Sequence, residues 1–93
     1  MNADVYEIGD KFVVVAEVPG FSEKEINISL AKRFLTIESM TPKEKNHDAI
    51  YRLQERNWGF FKRTFMVPDG FNDSFSTSHN NGLVSICVER KKI

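Results

Sequence analysis

Ile26-Asn27-Ile28-Ser29-Leu30 puts three apolar side chains on one parity and two polar ones on the other. That is the period of a strand with one buried face. Ala31-Lys32-Arg33 follows as a tight connection, without the Gly or Asn of the most favourable hairpin turns. Phe34-Leu35-Thr36-Ile37-Glu38 reads as the return strand. Upstream, Phe12-Val13-Val14-Val15-Ala16-Glu17-Val18 is apolar on both parities and stops at Pro19-Gly20, which predicts a strand covered on both faces. Asp4 to Ile8 is a shorter strand candidate, set off by the turn signal Gly9-Asp10. Between Gly20 and Ile26 there is room for one helical turn, with Ser22 as N-cap and Glu25 three positions on.

Downstream, Ser39 to Asp48 is polar and reads as an exposed excursion of about ten residues, longer than most hairpin loops. Ile50, Tyr51 and Leu53 form a strand-like piece just after it. Trp58 to Val67 is the most aromatic segment; Phe61, Phe65 and Val67 share a parity with Arg63, and Pro68-Asp69-Gly70 ends the run. Phe75 and Thr77 alternate with polar neighbours. Asn80-Asn81-Gly82 is a favourable hairpin turn, because Asn and Gly tolerate positive φ. Leu83 to Val88 closes with Val84, Ile86 and Val88 on one face. About eight short strands at turn-punctuated spacing predict an all-β sandwich or barrel. No repeat or linker divides the chain, so residues 1–93 read as one domain.

Composition narrows the function classes. At 41% hydrophobic and 28% charged, the chain has matter for a core and is not of the disordered class. A domain this small buries only about two-thirds of its unfolded surface, which favours self-association. A formal net charge of zero is unlike a dedicated nucleic-acid binder and does not oppose association. Cys87 is the single cysteine, which excludes an internal disulfide and multi-Cys zinc modules and fits a reducing compartment. A two-histidine metal site is not excluded by the count. No signal-peptide pattern or membrane-length apolar run is present, so a soluble cytoplasmic protein is expected.

The search for catalytic groups is negative. His47, in a charged loop, and His79, beside a hairpin turn, are expected to be solvated. A Cys-His nucleophile needs Cys87 to meet one of them; Cys87 reads more simply as a small strand residue. No spacing forces two carboxylates together, and the five glycines sit at separate turns, unlike a phosphate loop. Arg52 to Arg63, with Trp58, Phe60 and Phe61, has the makings of a base-stacking surface, but Phe61, Phe65 and Val67 alternate as core residues do. No enzyme, cofactor, metal or nucleic-acid partner is expected.

Two blocks are more specific. The first is Ala16-Glu17-Val18-Pro19-Gly20-Phe21-Ser22-Glu23-Lys24-Glu25-Ile26, followed by Leu35-Thr36-Ile37-Glu38. The second is Tyr51, then Glu55-Arg56-Asn57-Trp58-Gly59-Phe60-Phe61-Lys62-Arg63-Thr64-Phe65-Met66-Val67-Pro68, then Asn81-Gly82-Leu83-Val84-Ser85-Ile86. Together they resemble the alpha-crystallin domain of the small heat-shock proteins, of the bacterial, archaeal and plant type, from about Asp4 to Lys92. The resemblance implies an ATP-independent holdase chaperone on an immunoglobulin-like antiparallel β-sandwich, whose long loop carries a strand exchanged in a homodimer. It implies larger oligomers in a full-length form, and unfolded client proteins as partners.

Two surfaces follow from it. Ile50, Tyr51 and Leu53 match the exchanged strand, which would pair with the partner's edge near Val5, Tyr6 and Ile8. The physics agrees, since a strand on a polar loop has little to pack on at home and gains by adding to an open edge. Arg63 matches the arginine of the family's Phe-x-Arg-x-Phe block, which implies a place near the dimer interface beside acidic groups. The other surface is a groove between the strand of Ile26, Ile28 and Leu30 and the strand of Phe75 and Thr77, which in relatives accepts an Ile-x-Ile-like tail. Read from the residues alone, these side chains suit interior core equally well.

Departures are mild or terminal. Leu83-Val84 reverses a common Val-Leu order, and Thr77 stands where alanine is common. The chain begins almost at its first strand and stops at Lys91-Lys92-Ile93, so the family's apolar N-terminal arm and Ile-x-Ile tail are expected to be lacking. The competing reading is a monomeric co-chaperone-type sandwich that docks on another chaperone; the long loop with Tyr51 and Leu53 weighs against it.

Overall fold

The computed structural model describes residues 2–40, 48–55 and 61–92. These residues form seven strands: β1 (Ala3–Ile8), β2 (Lys11–Glu17), β3 (Ile26–Ala31), β4 (Phe34–Ser39), β5 (Lys62–Met66), β6 (Ser76–Asn80) and β7 (Leu83–Glu89). They make two antiparallel sheets, one ordered β1-β2-β7-β6 and the other β3-β4-β5. The fold is the all-β sandwich that alternation predicts. A 3-10 turn at Glu23–Glu25 is the only helical element among the described residues. Its Glu25 Oε1 accepts the Ser22 N–H at 2.8 Å, as the Ser-x-x-Glu spacing implies.

The core follows from strand parity. Phe12, Val14 and Ala16 of β2 face Leu35 and Ile37 of β4, together with Val84, Ile86 and Val88 of β7. Val18, Val67 and Phe71 complete the buried set. Each such side chain contributes about 1.5–3 kcal/mol on burial. Ser39, the one buried polar residue described, ties the base of the β4–β5 connection: its N–H donates to Phe61 O and its Oγ accepts the Phe61 N–H, both at 3.0 Å. One end of the sandwich is closed by Arg90, whose guanidinium lies 4.5 Å from the Phe71 ring centre and reaches Glu7 at 3.5 Å.

Residues 48 to 55 are exposed and form no strand within one chain; the exchange expected of Ile50 to Leu53 involves a second copy. Two expectations are corrected. Val13 and Val15 turn to the outer face of β2 and are half-buried, not covered, since no second layer of described residues lies there. Phe75 precedes β6 instead of lying within it. The readings of His47, Trp58 and Phe60 fall outside the described residues.

The β3–β4 turn shows how a hairpin closes without glycine. Lys32 and Arg33 both adopt left-handed backbone, with φ of 50° and 71°. That conformation costs an L-residue about 1–2 kcal/mol. It is held by Arg33, whose carbonyl accepts the Val67 N–H at 2.8 Å while its Nε donates to Val67 O at 3.0 Å. Asp69 pairs with the same guanidinium at 2.8 Å. Substitutions here should therefore have opposite signs. Lys32→Gly removes the strain and should raise stability by about 0.5–1 kcal/mol after the entropy of glycine is counted. Arg33→Ala keeps the strain and loses the clamp, and should lower it by about 1 kcal/mol. Urea titrations checked for a constant slope measure both.

Candidate functional site

The two sheets differ in width, so the sandwich is closed in the middle and open along its sides. One inward-facing row crosses the larger sheet as Val5, Val14, Ile86 and Thr77. Val14 and Ile86 are fully buried, whereas Val5 is 46% exposed and Thr77 is exposed. The matching row on the smaller sheet is Ile28, Ile37 and Arg63. Ile37 is fully buried, Ile28 half-buried and Arg63 exposed.

On one open side β3 and β6 enclose a groove of about 230 Å³, lined by Glu23, Ile26, Ile28, Phe75, Thr77, His79 and Val84. This is below the roughly 300–1,000 Å³ of small-molecule sites and suits side chains of an extended segment. Of the residues expected there, Ile26, Ile28, Phe75 and Thr77 come together. Leu30 does not join them; it packs against the core. Glu23, His79 and Val84 were not foreseen. Val84 reads as core from its strand and is also the floor of the groove.

His79, expected to be solvated, lies opposite Val84 in the β6–β7 register and so turns inward, half-buried. The available signal was its parity, which it shares with Thr77. The same register places Cys87 opposite Ser76 on the outward face. His79 and Cys87 thus occupy opposite faces of one sheet and form no nucleophile pair. The aromatic reading of Arg52 to Arg63 is likewise answered where it is described: Phe61 and Phe65 pack against the core, with the Phe61 and Phe21 rings edge to face at 5.1 Å.

The other open side belongs to β1 and β5. β1 is an edge strand carrying Val5, Tyr6 and Ile8 at 46%, 47% and 63% exposure. Arg63 sits on the inward parity of β5, its guanidinium carbon 5.1 Å from the Phe65 ring centre. In the β4–β5 connection Ile50, Tyr51 and Leu53 are 84%, 39% and 74% exposed. Among the described residues no three His, Cys, Asp or Glu side chains are grouped to hold a metal ion, and no helix is long and apolar enough to cross a membrane.

The sequence model of the Hsp20/alpha crystallin family matches residues 4–93. The chain belongs to that family. It is 29% identical over 93 residues to the small heat shock protein C2 of Rickettsia felis, covering 98% of this chain and 60% of that one. It is 31% identical over 90 residues to the 17.0 kDa class II heat shock protein of Zea mays, covering 95% of this chain and 58% of that one. The chain thus spans about three-fifths of the length of these relatives. A small heat-shock protein from Xylella fastidiosa superposes with a TM-score of 0.86 at 25% identity, over 99% of this chain and 86% of that one. Heat shock protein 16.0 from Schizosaccharomyces pombe gives 0.87 at 25% identity, over 99% and 74%. Membership of the Hsp20/alpha crystallin family points to a chaperone and not to an enzyme.

A groove wall and a core side chain respond differently to truncation. Ile37→Ala, at a fully buried position, should cost about 2–5 kcal/mol. Phe75→Ala, 36% exposed at the groove, should cost about 1 kcal/mol or less. Chemical denaturation of the two variants measures the contrast.

Proposed function

We propose that this chain is the binding domain of an ATP-independent holdase chaperone, which covers exposed apolar segments of unfolding proteins and slows their aggregation. The observation that carries this reading is the groove left open between β3 and β6, where Ile26, Ile28, Phe75 and Val84 lie beside Glu23, Thr77 and His79. It is shaped for an extended client segment that inserts two apolar side chains beside Ile26, Ile28 and Phe75. Two buried isoleucines supply about 3–6 kcal/mol before ordering costs. The net affinity of one site is then on the order of high micromolar to millimolar. Several sites in one assembly raise it by avidity. The family membership and the separate placement of the glycines, which form no phosphate loop, support a mechanism without nucleotide.

Dimerisation is the second part of the reading. Ile50 to Leu53 of one copy adds as a strand to the β1 edge of a second copy, near Val5, Tyr6 and Ile8. Support comes from the exposed apolar side chains on both elements and from the edge position of β1. Alternation then puts Tyr51 and Leu53 on one face and Ile50 on the other. Arg63 lies on the β1 side of the sandwich, in reach of the acidic groups such an exchange would bring.

Two experiments test these parts. Tyr51→Asp combined with Leu53→Asp should convert a dimer into a folded monomer, because both residues are exposed and lie outside the buried core. Light scattering coupled to size exclusion reads the mass and circular dichroism the fold; a folded double variant that is still dimeric overturns the exchange. In an aggregation assay with a heat-treated client, protection should be the same with and without ATP. Protection that requires ATP, or none at molar excess of chain, overturns the holdase reading.

A further inference from the structure

We propose, building on the docking role given above, that the β3–β6 groove selects segments carrying a basic residue beside their apolar pair, and that Glu23 sets this preference. The groove has two unlike ends. The 3-10 turn holding Glu23 runs directly into Ile26, so the carboxylate stands where β3 begins. His79 stands where β6 finishes, opposite Val84. The Val18 N–H donates to Gly82 O at 2.7 Å, which ties the chain leading to that turn against the β6–β7 hairpin. Glu23 and His79 therefore share one end of the groove. Phe75, just before β6, marks the other.

The charge at this end is one-signed. Among the described residues Glu23 is the only Asp, Glu, Lys or Arg in the lining, and β3 and β7 contribute Ile26, Ile28 and Val84 to it. Of the neighbouring ionisable groups, Lys24 is not in the lining and the Glu25 carboxylate accepts the Ser22 N–H. An occupant meets a negative end and the side chains of Ile26, Ile28, Phe75 and Val84. A lysine or arginine next to the apolar pair is attracted there, and an acidic residue is repelled. The same geometry gives the occupant a direction, with its basic residue at the Glu23 end and an apolar contact at Phe75.

The test uses the full chain and three short peptides sharing an Ile-Ser-Ile centre, flanked by lysine, serine or glutamate. Amide NMR titrations at neutral pH and low salt should rank them lysine, serine, glutamate, with successive steps of about two- to fivefold in affinity. Shifts should centre on Ile26, Ile28, Thr77 and His79. Added salt should compress the ranking, because an exposed charge is screened. Glu23→Gln should bring the lysine and glutamate peptides together. Equal affinities with shifts in the groove overturn the charge preference and leave the docking role standing. Absence of groove shifts for all three peptides overturns both.

Discussion

A three-stranded sheet cannot cover a four-stranded one. Strands stand about 4.8 Å apart in a sheet, so one strand's width of the larger sheet stays uncovered, divided here between its two edges. The consequence is visible along single rows. Val14 and Ile86 are fully buried in the middle of the larger sheet, while Val5 and Thr77, at the ends of the same row, are not. The buried rows hold the fold together. The open rows leave apolar surface over, and both candidate surfaces lie there.

Edges of sheets invite pairing with other chains. This chain treats its edges unequally. β5 carries Lys62 and Arg63 in succession, and Arg63 points inward, a placement that discourages indiscriminate pairing. β1 instead presents Val5, Tyr6 and Ile8, with only Glu7 between them and Asp4 before them. At the other side, β3 and β6 do not meet as a sheet, and a side-chain groove results instead of a backbone ladder. One fold therefore exposes an apolar strand edge at one side and a side-chain groove at the other.

Most of the strand layout was legible from parity. Val84, Ile86 and Val88 alternate in sequence and are buried together, and so do Leu35 and Ile37. Asn81-Gly82 announced its turn and adopts positive φ at both residues. The Lys32-Arg33 turn was legible in place but not in mechanism, because its strain is held by Val67 and Asp69, more than thirty positions away. Val13 and Val15 misled, since a β-branched run raises strand propensity whether or not a second layer covers it. Ile50 to Leu53 forms no strand within one chain, since a strand needs an edge beside it. Ile26, Ile28, Phe75 and Thr77 line one groove, whereas Leu30, near the far end of β3, packs against the core.

By itself, the sequence determined the period of each strand, the turns between them and hence which side chains share a face. Those are local properties, set by backbone pleat and φ/ψ preference within a few residues. Only the tertiary structure decided which members of a face are covered. Ile28 and Ile37 are paired neighbours on one face, yet one lines a groove and the other is sealed in the core. His79 shares the parity of Thr77, but that it lines one groove with Glu23 arises only when the two sheets are laid together. Burial depends on what lies across the sandwich, and that is fixed by how two sheets of unequal width are laid on one another.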